Sequence, residues 1–158
     1  MKALPNWILF LIIIQMVMAV PMIWTGIVAA RGLPAIRVIH PAVNVCSRFA
    51  VVICARNEGK VIGRLLNSLQ QIDYPKSCVH IFLLADHCTD NTVKIARTYD
   101  NVTVYERTTG PNNGKGDVLN WGIQRILAEY GQEIDAFAFF DADNIPRKDF
   151  LTRMNEYL

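Results

Sequence analysis

Between Trp7 and Ala30 the chain reads WILFLIIIQMVMAVPMIWTGIVAA, with no charged residue at any position. As a helix rising about 1.5 Å per residue, this run is long enough to cross a hydrocarbon core of about 30 Å. It therefore predicts a membrane span, with Pro21 tolerated where neighbouring groups satisfy the freed carbonyl. The alternative is a cleaved signal peptide, since Val28-Ala29-Ala30 before Arg31 loosely resembles a small-residue cleavage site. An apolar signal core is normally about 7 to 15 residues, which this run exceeds. Residues 1–30 are read as a single N-terminal transmembrane anchor. Residues 31–48 carry Gly32, Pro34 and Pro41 without periodicity and are read as a juxtamembrane linker. Lys2 precedes the span, whereas Arg31, Arg37 and Arg48 follow it, so the positive-inside tendency places the rest of the chain in the cytoplasm.

What remains is enough for one modest domain. The formal net charge is +2 with no Lys/Arg block, which argues against a nucleic-acid partner. Cys46, Cys54, Cys78 and Cys88 form no C-x-x-C pair and no framework spacing, so a disulfide scaffold is not expected and a reduced compartment fits. The sequon Asn101-Val-Thr103 has meaning only on the opposite side of a membrane.

From Phe49 onward, apolar runs alternate with helix-spaced segments. FAVVICA (Phe49 to Ala55) is a continuous β-branched run of the kind buried on both faces of a sheet. It is followed by a helical pattern from Glu58 to Ile72, with Val61, Ile62, Leu65, Leu66 and Leu69 in phase and Asp73-Tyr74-Pro75 as its stop. VHIFLLAD (Val79 to Asp86) predicts a second strand and Asn91 to Tyr99 a helix capped by Thr89 or Asp90. VTVYER (Val102 to Arg107) predicts a third strand, joined by TTGPNNGKG to a helix near Asp117 to Tyr130. AFAFF (Ala136 to Phe140) predicts a fourth, and Pro146 is placed to open a last helix. The expected class is α/β, a doubly wound, mostly parallel sheet, in which ligands bind beyond the carboxyl ends of the strands.

Every chemically interesting group falls at such an end: Arg56, Asn57 and Glu58 after the first strand, Asp86 after the second, Lys115 after the third, Asp141 and Asp143 after the fourth. Taken singly, each has a bland explanation as a cap, a turn residue or a solvated charge. Two adjacent carboxylates repel when ionised, and a divalent cation removes that penalty. Mg²⁺ or Mn²⁺ takes oxygen ligands and keeps waters and phosphate oxygens, so the Asp141/Asp143 pair suits a metal-diphosphate complex and hence a nucleotide.

VVICARNE, LLADHCTDNT, GKGDVLNWG and FFDADN, in this order, resemble the opening half of the family 2 glycosyltransferases of GT-A fold, over about Phe49 to Asp149. The resemblance implies that 49–158 is the nucleotide-sugar-binding part of such a domain, truncated at its C-terminal end. It implies a donor, most simply UDP-linked, whose base and ribose are held by Ala55, Arg56, Asn57, Glu58 and Asp86. Lys115 would lie near the nucleotide, and Asp141 and Asp143 would engage the ribose-diphosphate and its metal. A saccharide or lipid-linked acceptor and an inverting transfer are implied too, as is an inner-membrane location like that of bacterial cellulose or poly-N-acetylglucosamine synthases. Cys54 stands where the family commonly has proline, and His87-Cys88 replaces a small polar pair, which bears on the shape of the base pocket. The family's general base and its Q-x-x-R-W motif are expected beyond residue 158, so the chain alone is expected to be inactive.

Other readings compete. A P-loop NTPase shares the Gly-Lys loop, but Gly110 and Gly114 enclose three residues where that motif needs four, and Gly116 replaces its Mg²⁺-binding hydroxyl. Cys78 and His80, taken to share a strand face, could with His87 and Cys88 suggest a metal cluster, for which packed and loop residues are the simpler account. A membrane-tethered nucleotide-binding fragment without turnover is the third.

Overall fold

The computed structural model describes residues 5–32, 45–111 and 113–158. The chain divides into an N-terminal unit and a unit containing all four strands. In the first, α1 (Asn6–Gly32) is one helix with Pro21 inside it and Arg31 in its last turn. Trp7–Arg31 is long and apolar enough to cross a membrane by length and composition. Its apolar residues surround the helix without favouring one side, as in a segment solvated by lipid and unlike a surface helix of a globular domain. Lys2, Arg37 and most of the expected linker, 33–44, lie outside the described residues.

The second unit is a four-stranded, wholly parallel sheet: β1 (Phe49–Ala55), β2 (Val79–Asp86), β3 (Val102–Arg107) and β4 (Ala136–Asp141), in the order β3-β2-β1-β4. β1 pairs along both edges and is buried over nearly its whole length, which is why its sequence is continuously apolar. On one face Val51, Ile53, Leu83 and Phe140 pack with α2 (Ile62–Gln70), α3 (Thr92–Ala96) and α5 (Phe150–Asn155) through Leu65, Leu66, Ala96 and Leu151. On the other, Ala50, Val52, Phe82 and Leu84 pack against Val118 and Ile126 of α4 (Lys115–Tyr130). The sheet is thus doubly wound, as the alternation of strands and helices implies.

The helix boundaries depart from the sequence pattern where tertiary hydrogen bonds claim the backbone. α2 starts at Ile62 and not at Glu58, because Asn57 takes a positive φ of 57° and the next amides are bound elsewhere. Glu58 N–H donates to Thr92 Oγ1 at 2.8 Å, and Gly59 N–H donates to Asp90 Oδ2 at 2.9 Å. α5 starts at Phe150 and not after Pro146: Pro146 O accepts from Ser68 Oγ at 3.2 Å and Lys148 O from Asp73 N–H at 2.7 Å, tying that segment to α2 and the turn after it. α3 covers only Thr92–Ala96, with Asp90 Oδ1 accepting from Thr92 N–H at 2.9 Å, and α4 begins two residues early, at Lys115. Cys78 sits in a 3₁₀ turn, Lys76–Cys78, and packs on the α2 side, whereas the His80 ring contacts Phe82 and Tyr130 on the α4 side, so the two do not share a strand face.

α4 lies close to the sheet at Gly122, where a Cβ would come within 2.2 Å of Leu84 Cδ1, a side chain with no exposed surface. Overpacking of this kind costs about 1–3 kcal/mol, against about 1 kcal/mol gained from alanine's better helix propensity. Gly122→Ala is therefore expected to lower the urea midpoint without changing the m-value. A raised midpoint would show that Leu84 can move aside.

Candidate functional site

The strand order reverses direction at β1: β2 and β3 lie to one side, β4 to the other. The loop after β1 leads to α2 on one face while α4 covers the other, and a cleft of about 220 Å³ opens at the carboxyl ends of the strands. Ala55, Arg56, Glu58, Asp86, Lys115 and Asp141 line it, together with Cys54, Gly114 and Val118. Six of the eight residues singled out in the sequence therefore meet in one place. The other two lie beside it. Asn57 does not cap α2; its side-chain oxygen accepts from Thr89 N–H at 2.7 Å and from Thr89 Oγ1 at 3.3 Å, joining the β1 loop to the β2 loop. Asp143 is exposed two residues beyond Asp141, outside the cleft lining, and its charge is felt by Lys115.

Asp86 is buried at the end of β2, directly across from Arg107 at the end of β3. Its Oδ1 accepts from Arg107 Nε at 2.7 Å and from His87 Nδ1 at 2.8 Å. Burial alone would raise this carboxyl, but the Arg107 guanidinium, then His87, outweigh it and hold it below the ordinary aspartate range. Arg107, itself buried, also donates from Nη1 to Asp117 Oδ2 and from Nη2 to the Pro111 carbonyl, both at 2.8 Å. Arg107 was not among the sequence candidates; the available signal was a basic residue closing a strand whose register partner is the acidic end of the previous one.

Across the cleft, the Lys115 ammonium at the start of α4 is ion-paired with Asp141 at the end of β4. That hydrogen bond is the main reason the Lys115 ammonium is held above its ordinary range. Between the two walls, burial pushes the Cys54 thiol up to about 11, so it is a neutral group and no nucleophile at physiological pH. Among the described residues, no group of three or more His, Cys, Asp or Glu side chains is arranged to hold a metal. Cys78 and His80 flank the start of β2 and His87 and Cys88 follow its end, so most of the strand, from Ile81 to Asp86, separates the pairs. β3, which leads into the Gly-Lys loop, is parted from β4 by β2 and β1.

Residues 50–158 match the family described as glycosyl transferase family 2. The chain belongs to that family. It is 33% identical over 112 residues to a β-monoglucosyldiacylglycerol synthase of Synechocystis sp., covering 68% of this chain and 22% of that protein. It is 35% identical over 111 residues to 4,4'-diaponeurosporenoate glycosyltransferase of Staphylococcus aureus, covering 68% of this chain and 27% of the relative. The chain thus spans about a quarter of the length of these curated relatives. Among solved structures, S. aureus TarS 1-349 in complex with UDP-GlcNAc superposes with a TM-score of 0.59 at 26% identity, over 70% of this chain and 30% of TarS. A mannosyltransferase from Pyrobaculum calidifontis, solved with GDP-Man and Mn²⁺, shares the fold with a TM-score of 0.62 at 20% identity, over 80% of this chain and 37% of that one.

In this family 2 domain, the buried Asp86–Arg107 pair should be visible in stability. A carboxyl whose folded-state value is depressed contributes stability fully present above its unfolded value, ordinarily 3.8, and lost as pH falls through the folded value. Removing one partner of a buried pair costs about 3–5 kcal/mol. Asp86→Asn is expected to lower the free energy of unfolding by about that amount at pH 7, with the difference from wild type shrinking only below the ordinary carboxylate range. A pH-independent difference in denaturant titrations would assign the loss to packing.

Proposed function

We propose that residues 49–158 are the donor-binding part of a glycosyltransferase, tethered by an anchor at 1–30 through a linker at 31–48, that transfers a sugar from a UDP-linked donor. The observation that carries this reading is the convergence of Asp86, Lys115 and Asp141 on one cleft at the switch point of a family 2 sheet. Support for UDP comes from TarS, solved with UDP-GlcNAc. One relative is named for a monoglucosyldiacylglycerol and the other for 4,4'-diaponeurosporenoate, and a diacylglycerol in such a name favours a lipid over a free saccharide acceptor and suits a membrane-anchored enzyme.

In this reading Ala55 to Glu58 and Asp86 hold the base and ribose, the ionised Asp86 accepting hydrogen bonds from the nucleoside. Lys115 meets the diphosphate. Asp141 and Asp143 hold Mg²⁺ or Mn²⁺. The residues fit such an ion: both are exposed oxygen donors, and Asp141 already has a cation, the Lys115 ammonium, on its carboxylate. Two carboxylates are too few for a protein cage but suit an ion that keeps waters and phosphate oxygens. When bound, the ion supplies positive charge against the leaving diphosphate. With Asp141 and Asp143 as the residues that would hold the metal, the half-exposed Lys115 ammonium would be available to pair with a phosphate oxygen.

Calorimetric titration of the full chain with UDP, with and without Mg²⁺ or Mn²⁺, tests the assignment. Wild-type binding should require metal, and Asp143→Asn, which keeps volume and removes charge, should weaken it about tenfold or more. Equal, metal-independent affinities would reduce the aspartates to turn residues.

The topology is tested separately by protease treatment of spheroplasts. The sheet domain should be protected until the membrane is permeabilised, with α1 still attached. Digestion from outside would reverse the orientation.

A further inference from the structure

We infer that Arg107 is a positioning residue for the donor: one buried guanidinium fixes both the carboxylate that receives the nucleoside and the loop that delivers Lys115. The inference rests on the donor-binding reading above, and Arg107 itself does not line the cleft. Three observations lead to it. First, its guanidinium bonds three separate segments at or beside the cleft: Nε to Asp86 at the end of β2, Nη2 to the Pro111 carbonyl in the loop after β3, and Nη1 to Asp117 in the first turn of α4. Second, these bonds span the segment that carries Lys115, with Pro111 four residues before it and Asp117 two after. Third, the arrangement is sealed, since the Arg107 side chain is 6% exposed and lies over the Trp121 ring at 5.8 Å.

The planar fork of a guanidinium suits this task, because its donors leave in fixed directions and reach three acceptors without rearrangement. A lysine would supply the charge but not the directions. Gly114 at φ 94° lets the chain turn sharply into α4, and the bonds to Pro111 and Asp117 hold that turn from both sides. Arg107 would also act on Asp86 electrostatically. The charged and titratable groups around that carboxylate are His87 and Cys88 on its own loop, Arg107 on β3, Cys54 and the Arg56–Glu58 loop after β1, Lys115 and Asp117 on α4, and Asp141 on β4. Arg107 and His87 both donate a hydrogen bond to it.

The test is UDP titration of the full chain in detergent, with metal, across pH 4 to 8 as an experimental range of about four units, for wild type, Arg107→Gln, Arg107→Lys and Asp117→Asn. Arg107→Gln should bind UDP about tenfold or more weakly, and the pH at which binding fails in acid should rise, because burial then acts on Asp86 with less opposition. Arg107→Lys should keep the acid limb near wild type while failing to restore affinity. Asp117→Asn releases only the α4 arm, so it should weaken binding without moving the acid limb. It remains informative if Arg107→Gln does not fold. Arg107→Lys should cost less on top of Lys115→Ala than it costs alone, since the loop arm then has nothing left to place. Folded Arg107 variants with wild-type affinity and acid limb would overturn the inference, as would strict additivity with Lys115→Ala. Failure of wild type to bind either UDP or GDP would instead overturn the donor reading on which it stands.

Discussion

β1 is the strand on which the domain's geometry depends. It is paired along both edges and covered on both faces, so its neighbours cannot follow one another around the sheet in simple succession. β2 and β3 extend the sheet on one side, and the chain must then return across β2 and β1 to lay β4 on the other. α4 is that return. Its packing on Phe82 and Leu84 through Val118 and Ile126 fixes its path, and the approach at Gly122 fixes its height. The start of α4 is thereby carried over to β4, where Lys115 meets Asp141, 26 residues further along the chain. The cleft follows from the crossover, since the start of α4 on one face comes to stand opposite the loop that leads from β1 to α2 on the other.

Burying charge beside an apolar sheet is costly unless every charge is paired. The cleft meets that condition on its closed side by concentrating three donors of Arg107 on Asp86, Asp117 and a carbonyl, with His87 adding a second donor to Asp86. A carboxylate has about four acceptor sites, so the two donors leave Asp86 able to accept from a ligand in the cleft it lines. The open side is built differently. Lys115 and Asp141 are each about half exposed, so water screens their pairing and either can exchange partners at small cost.

The strands were legible because a parallel sheet buried on both faces demands uninterrupted β-branched and apolar runs, and β1, β2 and β3 begin and end where those runs do. The beginnings of α2 and α5 were not legible. Glu58 is a good helix former in isolation, but its amide and that of Gly59 are taken by Thr92 and Asp90, more than thirty residues away. Pro146 looked like a helix opener because its missing N–H costs nothing there, yet its carbonyl is held by Ser68. The same reason hid Arg107. A strand-terminal arginine reads as a solvated charge until the register of β2 against β3 sets it opposite Asp86. The cleft residues could be found by position alone, since ligand sites in such sheets follow strand ends, whereas the residue that organises them depends on a pairing that no local pattern encodes.

Backbone conformation separates the two sides of the cleft once more. Among the described residues, Asn57 and His87 are the non-glycine residues with positive φ, 57° and 48°, and each lies within two residues of the end of a strand, β1 or β2. Left-handed backbone costs free energy and persists where surrounding bonds over-determine it. Here they do: Asn57 is tied to Thr89 by its side chain, and His87 donates its N–H to the Arg107 carbonyl at 2.7 Å while its ring holds Asp86. The loops after β1, β2 and β3 are thus cross-linked into one unit. Under the donor reading, this rigid unit faces the base and ribose, whose shape is constant, and pre-organisation there lowers the ordering cost of binding. On the same reading, the exchangeable Lys115–Asp141 pair would face the diphosphate and metal, where charge would be redistributed during transfer. On that reading, cross-linked loops for recognition and an exchangeable charge pair meet in one cleft, beside the strand at which the sheet reverses.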